Sequence, residues 1–316
     1  MSQPKLFAML PPFYLQPPHS NVKWYLRRIQ EECAVRIEKC RYLRAAFSCD
    51  VFIINDKTVF RFPRTERIRN HLKHEIEFLN FLADKVKTRV PRYSYFSKGG
   101  DFAGYTIIPG KILTAAAFKS LSKPKKEQVV GQLVAFINDF HNIKLNDFQK
   151  FKPKAREAFI HDEKKIELKL STKLFPRLPK AEVRAIENFY KQSKVYLGKI
   201  PTFCPTHGDL YADNVVWNEG KSEIGVIDFT DVLIGDPAKD FEVFAEYGSE
   251  YAAMAYQQYA GPKDADFLKR AEIYHKVHSI YTLLSSVLGA RISYDYAYRR
   301  FKQRFTPLVE RVGAQQ

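Results

Sequence analysis

The hydrophobic period of this 316-residue chain changes in an order that leaves few folds open. Ser20 and the NVKWYLRRIQEECAVRIEKC after it read as an N-capped amphipathic helix, with Trp24, Ile29, Cys33 and Ile37 on one face. The period then drops to two. RYLRAAF, DVFIIN and TVFRF are short β-branched or aromatic runs, the last two joined by a tight turn at Asp56-Lys57 after Asn55. Pro63 ends the third run, and TERIRNHLKHEIEFLNFLADK is helical again, with Ile68, Leu72, Ile76 and Leu79 in one stripe. RYSYF and FAGYTII are two further strands about the turn KGGD, closed by Pro109-Gly110. The resulting order is β-β-β-α-β-β. Beyond it PKKEQVVGQLVAFINDFHNI, a basic stretch from about 152 to 170, AEVRAIENFYKQSKVYL and residues 239–316 read as helix. One small hairpin, VVW and EIGVIDF across NEGKS, interrupts them. Strands first and helices after define an α+β chain.

A hydrophobic content of 45% fits a globular fold. The first twenty residues carry five prolines and no charge cluster ahead of an apolar run, so they read as an extended Pro-rich arm rather than a secretory signal. No apolar run reaches the ~18 residues of a membrane span. Cys33, Cys40, Cys49 and Cys204 have neither metal-pair nor disulfide spacing, which predicts reduced thiols and a cytoplasmic location. A net charge of +16 would suggest nucleic acid or an anionic membrane as partner, but its distribution argues otherwise. Residues 1–200 carry 39 Lys/Arg against 19 Asp/Glu, whereas residues 201–250 carry 2 against 11. An acidic island lies within a basic chain.

That island holds the chemistry. HGDLYADNVVW, His207 to Trp217, is followed by VIDFTD. Phosphoryl transfer from a nucleotide needs a carboxylate beside the acceptor hydroxyl, oxygen ligands for magnesium, and a cation for the phosphates. Asp209 suits the first task. Asn214, five residues on, and Asp228, carried by the hairpin, suit the second. Read without that context, Asp and Asn in such a stretch are ordinary turn residues that bond locally.

HGDLYADN, VIDFTDVLIGDPAKDF, VFRFPR and FAGYTIIPG together resemble the aminoglycoside phosphotransferase family of kinase-like enzymes, and within it the 2''-phosphotransferase branch; the resemblance runs from about residue 20 to near the end of the chain. It implies a two-lobed protein-kinase-like fold. The arm would be residues 1–20, the nucleotide-binding N-lobe 21–108 with a five-stranded antiparallel sheet and one main helix, and the largely helical C-lobe 109–316 with catalytic loop and acceptor site. It makes Asp209 the catalytic base, and Asn214 and Asp228 ligands of Mg2+. It places Arg61 where the family usually has lysine, paired with Glu75, at the phosphates of ATP or GTP. FAGYTIIPG becomes the interlobe connector, with the backbone of Thr106 and Ile108 on the purine edge. AAFSCD has no glycine where many kinase-like proteins cover the phosphates with a glycine-bearing loop, so either Ser48 and nearby amides would substitute or Arg61 and metal would hold the phosphates; Thr230 stands where glycine is common.

On the acceptor side, Glu242, Glu246 and Glu250 step by four and so share one helical face, opposed in sequence by Lys239 alone. Like charges at that spacing repel unless a cation relieves them, which favours a polycationic acceptor such as an aminoglycoside, with Asp213 and the ring faces of Tyr247, Tyr251 and Tyr256 as further contacts. A solvated surface face is the alternative. Asp236 and Asp240 read as caps and braces of the next helix. His141 reads as structural, His207 as a support of the catalytic loop, and His71, His74, His275 and His278 as core or surface residues without a third metal ligand.

The function so predicted is O-phosphotransfer from ATP or GTP to a small-molecule hydroxyl, with antibiotic resistance set against a housekeeping kinase of choline, macrolide, homoserine or sugar type. The partners expected are nucleotide and a cationic acceptor, with neither nucleic acid nor membrane, in a monomer or weak dimer. A silent kinase-like binding module is the reading from another class. A protein kinase is disfavoured by the lack of an APE-like element and of a long segment after Asp228.

Overall fold

The computed structural model describes residues 22–43, 49–151, 153, 166–290 and 292–313, with side chains to Phe305. The arm, Ser48, and most of the basic stretch from 152 to 170 lie outside the described residues. The chain divides into two compact units. One comprises Met1–Thr114, Asn146–Lys152 and Asp213–Asp231; the other comprises Ala115–Leu145, Pro153–Ala212 and Val232–Gln316.

The first unit is built on five antiparallel strands: β1 (Cys40–Leu43), β2 (Cys49–Ile54), β3 (Thr58–Pro63), β4 (Tyr93–Phe96) and β5 (Ala103–Thr106). Their spatial order is β1-β2-β3-β5-β4. The interior strand β2 is buried on both faces, and residue parity decides what each face meets. Phe52, Ile54, Phe60, Phe62 and Phe102 pack with Tyr25 and Ile29 of helix α1 (Val22–Cys33), whereas Cys49, Val51, Ile53 and Val59 pack with Ile68 of helix α2 (Glu66–Leu82). Arg61 shares the parity of Val59. It therefore faces α2, whose inward side includes Glu75.

Two local readings shift. α1 ends at Cys33 because Ala34 adopts a left-handed φ of 53°, so Ile37 joins the α1-side cluster from outside the helix. The β2–β3 turn is centred one residue early: Asn55 and Asp56 hold φ of 52° and 53°, and Lys57 N–H closes on the Ile54 carbonyl at 3.0 Å. Asn and Asp tolerate that conformation where Lys does not.

A three-stranded sheet completes this unit: β6 (Lys111–Ile112), β8 (Val215–Asn218) and β9 (Glu223–Val226), in the order β6-β8-β9. The hairpin β8–β9 is the one predicted; β6 is too short to leave a period. Gly225 lies so close to Ile108 that a Cβ would stand 2.6 Å from its Cγ2, and that contact fixes the segment after β5 against the hairpin.

The second unit is helical. Its main members are α4 (Lys123–His141), α6 (Lys180–Leu197), α9 (Phe267–Val287) and α10 (Tyr294–Gly313), with the short α3 (Ala115–Ser120), α7 (Glu242–Tyr247) and α8 (Ser249–Gln258); α5 (Leu145–Gln149) starts here and ends in the first unit. A two-stranded pair, β7 (Cys204–Thr206) with β10 (Leu233–Gly235), carries the segment ahead of Asp209. None of the helices among the described residues is long and apolar enough to cross a membrane. All four cysteines are free thiols.

Candidate active site

In the first unit the predicted phosphate and metal groups gather around α2 and the hairpin. Arg61 Nη1 lies 2.5 Å from Glu75 Oε1 and donates to the Tyr93 hydroxyl at 2.8 Å. Burial would lower the Arg61 pKa, but the Glu75 carboxylate, with Tyr93 and Asp228 beyond it, holds it well above its ordinary value. The guanidinium stays charged. Burial drives the phenol of Tyr93 well above its usual range, and that of Tyr105 to about 12, so both remain neutral donors. Tyr93 is a member that sequence reasoning missed; its inward place in RYSYF was the available signal.

Asp228 follows β9 at a left-handed φ of 71°, a conformation a non-glycine residue adopts only when its surroundings impose it. The surroundings are on both sides. Val226 N–H donates to Arg89 O at 2.9 Å, Ile227 N–H to Asn214 O at 3.0 Å, and Thr230 Oγ1 to Asp228 Oδ1 at 2.9 Å. Phe229, 1% exposed, packs on Phe78 of α2, one turn beyond Glu75. The buried side chain of Asn214 supplies an amide oxygen and Asp228 a carboxylate. Two hard oxygen donors without nitrogen or sulfur fit magnesium, which keeps waters and phosphate oxygens in its remaining positions. Among the described residues no three His, Cys, Asp or Glu side chains cluster as a metal cage.

Other predicted residues of this unit are placed as follows. Thr106 is exposed at the end of β5 opposite Thr58, Ile107 N–H donates to Lys57 O at 2.8 Å, and Ile108 is buried. Asp50, 1% exposed, pairs with Arg64 at 2.8 Å and accepts from the hydroxyls of Tyr25 and Tyr42, so it braces the start of β2. Asp213 is half-buried in a 3-10 turn beside Asn214.

In the second unit the loop of His207 to Asp209 leaves β7 under firm restraint. The fully buried Asp240 accepts His207 N–H at 2.7 Å and Gly208 N–H at 2.9 Å, and its Oδ2 lies 3.0 Å from His141 Nε2. His141 Nδ1 is in turn 2.6 Å from the Tyr259 hydroxyl. Burial alone would raise the Asp240 pKa; His141, His207 and the Gly208 amide outweigh it and hold the carboxyl below its usual range. His141 is held between Asp240 and Tyr259, and Asp240 braces the His207–Asp209 loop rather than capping a helix. Asp236 does cap, accepting Ala238 N–H at 3.0 Å, and is held by Arg270 at 2.6 Å. Asp209 N–H meets His207 Nδ1 at 3.3 Å, and its half-buried carboxylate lies within electrostatic reach of Lys239 and Tyr211.

The acidic stripe is not one face. Gly248, at φ 136°, breaks the helix, so Glu242 and Glu246 lie on α7 and Glu250 is exposed on α8. Nor is Lys239 its sole cation. Lys239 Nζ pairs with the buried Glu242 at 2.9 Å, while Arg300 and Arg304 pair with Glu246 at 2.5 and 3.5 Å. Those arginines lie too far along the chain for local pattern to join them to Glu246. Of the three tyrosines, Tyr247 stacks on Phe118 and Tyr251 meets the same ring edge-on, both within the core, and Tyr256 tilts against Phe267.

The second unit thus presents a loop-borne aspartate restrained by a buried carboxylate, and the first an amide, a carboxylate and a charged arginine-glutamate pair, the group types that phosphoryl transfer calls for. The phosphotransferase enzyme family (APH) matches residues 39–273, and the chain belongs to it. It is 27% identical over 211 residues to viomycin phosphotransferase of Streptomyces vinaceus, covering 63% of this chain and 70% of that one. Solved structures that share the fold include the GDP complex of aminoglycoside 2'-phosphotransferase-IIIa, with TM-score 0.78 at 20% identity over 91% of this chain and 99% of that one, and the GDP and kanamycin complex of APH(2")-IIia, with TM-score 0.74 at 21% identity over 93% and 99%.

Proposed function

We propose that this phosphotransferase moves the γ-phosphate of ATP or GTP to a hydroxyl of a small molecule, in the manner of antibiotic-modifying enzymes. The observation that carries the reading is the tie between Ile227 N–H and Asn214 O, which couples the two proposed metal ligands in the unit that also holds Arg61 and Glu75. In this reading residues 21–108 serve the nucleotide and 109–316 supply the catalytic loop and acceptor contacts, with Asn214 and Asp228 holding Mg2+. Magnesium, when bound, supplies positive charge for the triphosphate. Arg61, kept charged by Glu75, adds a fixed cation for phosphate oxygens. The backbone at Thr106 and Ile108 meets the base, and Ser48 meets the phosphates. Asp209 orients the acceptor hydroxyl and takes its proton, which raises the nucleophilicity of the oxygen without a covalent intermediate on the protein.

The relatives' names make an antibiotic the first acceptor to consider, an aminoglycoside or a viomycin-like compound. Asp213 and Glu250 remain proposed acceptor contacts; the internal pairing of Glu242 and Glu246 favours a second class, acceptors of lower charge. The protein acts as a cytoplasmic monomer or weak dimer. The test is transfer of labelled γ-phosphate from each nucleotide to aminoglycosides, macrolides and small amino alcohols, by wild type and Asp209→Ala. The variant is expected to lose ~10²–10⁴-fold in turnover with nucleotide affinity unchanged. Equal turnover would remove Asp209 as the base.

A further inference from the structure

We infer that the acceptor of this enzyme is a hydroxyl compound of low positive charge, because Lys239, Arg300 and Arg304 already occupy the carboxylates that the ammonium groups of a polycation would take. The inference rests on the phosphotransferase reading and narrows it. Glu246 is engaged at both oxygens: Oε1 accepts from Arg300 Nη2 at 2.5 Å and Arg304 Nη2 at 3.5 Å, and Oε2 accepts from Ala212 N–H at 3.3 Å. Ala212 is three residues past Asp209, so this cluster braces the loop of the proposed base. Glu242 is 1% exposed, and its Oε1 accepts from Lys239 Nζ at 2.9 Å.

Lys239 lies within electrostatic reach of Asp209 and Asp240 as well, so these three cations are already shared among carboxylates of this chain. The two arginines also act on their neighbours. Burial lowers the Arg304 pKa and Arg300 lowers it further, against the pull of Glu246; burial and the same two arginines keep His275 and His278 well below their ordinary values, and so neutral. The arginines have other anchors as well. Arg300 Nη1 donates to the Tyr296 hydroxyl at 3.1 Å and Arg304 Nη1 to His275 O at 2.9 Å. An ammonium group entering here would have to displace a guanidinium from the half-buried Glu246 and leave it beside a second guanidinium, and unpairing one partner of such a pair is costly. Glu250, exposed on α8, offers a polycation only a solvated carboxylate, which contributes little.

Calorimetric titration of kanamycin, with and without nucleotide and magnesium, tests this on wild type, Arg300→Gln and Arg304→Gln. Wild type is expected to show no saturation below ~1 mM at physiological salt, and each folded variant to bind at least ~10-fold more tightly as Glu246 loses a cation. Micromolar binding by wild type, or unchanged affinity in the folded variants, overturns the inference. Arg300→Gln decides alone where Arg304→Gln does not fold. Nucleotide titration of the same samples is read separately: failure to bind nucleotide sinks the phosphotransfer reading, whereas the kanamycin series without nucleotide still judges the charge argument.

Discussion

Single side chains in this protein act through how completely their neighbours engage them. Asp240 shows it most plainly: one buried carboxylate receives two loop amides and a histidine, and no other residue type offers acceptors on both sides of so small a group. Asp240→Asn keeps the size but turns half the group into a donor facing a donor. It is expected to cost roughly 1–3 kcal/mol and to loosen the loop of Asp209. The sign of the pH effect follows from the direction of the shift. A carboxyl whose pKa is depressed on folding contributes stability in full above its unfolded pKa of about 4 and loses it as pH falls through the folded value. Denaturant melts of wild type and Asp240→Asn are therefore expected to differ by a constant amount near neutral pH and to converge in acid. A difference that grew as pH fell would contradict the assignment. His207, Asp209, Asn214 and Asp228 were legible at this scale because their spacing is local. Tyr93, Arg300 and Arg304 were not, since each is an ordinary strand or helix residue until the fold brings a distant carboxylate to it.

Among elements, the hairpin β8–β9 does more than carry Asp228. Its strand β9 lies against Arg89 and Ile108, and it belongs to the same unit as the five-stranded sheet although more than a hundred residues separate them in sequence. Gly225 makes that approach possible. Gly225→Val is expected to displace Ile108, lower stability by about 1–3 kcal/mol and weaken nucleotide binding, read by thermal melts with and without nucleotide; an unchanged melt would show that the segment after β5 has room to move. The five strands and α2 could be read ahead of the structure because alternation and the 3.6 period are strong over such runs. β6, β7 and β10 could not, being two or three residues long. The Glu242, Glu246, Glu250 stripe misled for a related reason. A period of four continues in sequence across Gly248, but the helix does not.

For the whole molecule, charge separation along the chain is the property that composition alone conceals. Within the acidic island of residues 201–250, Asp236, Glu242 and Glu246 are paired with Arg270, Lys239, and Arg300 with Arg304, whereas Glu250 stays exposed. The proposed roles fall on both units, with Asp209 on one and Arg61, Asn214 and Asp228 on the other. Because Asp209 and Asn214 are five residues apart, the chain itself limits their separation to about 18 Å. The central claim is that Asp228, held in a left-handed backbone and clamped on both sides, is there to bind a metal with a nucleotide. The measurement closest to it is calorimetric titration of ATP and GTP, with and without magnesium, into wild type and Asp228→Ala. The account predicts magnesium-dependent binding of at least one nucleotide by wild type, lost in the variant while the fold is kept. Binding that is indifferent to magnesium, or that survives in Asp228→Ala, would contradict it.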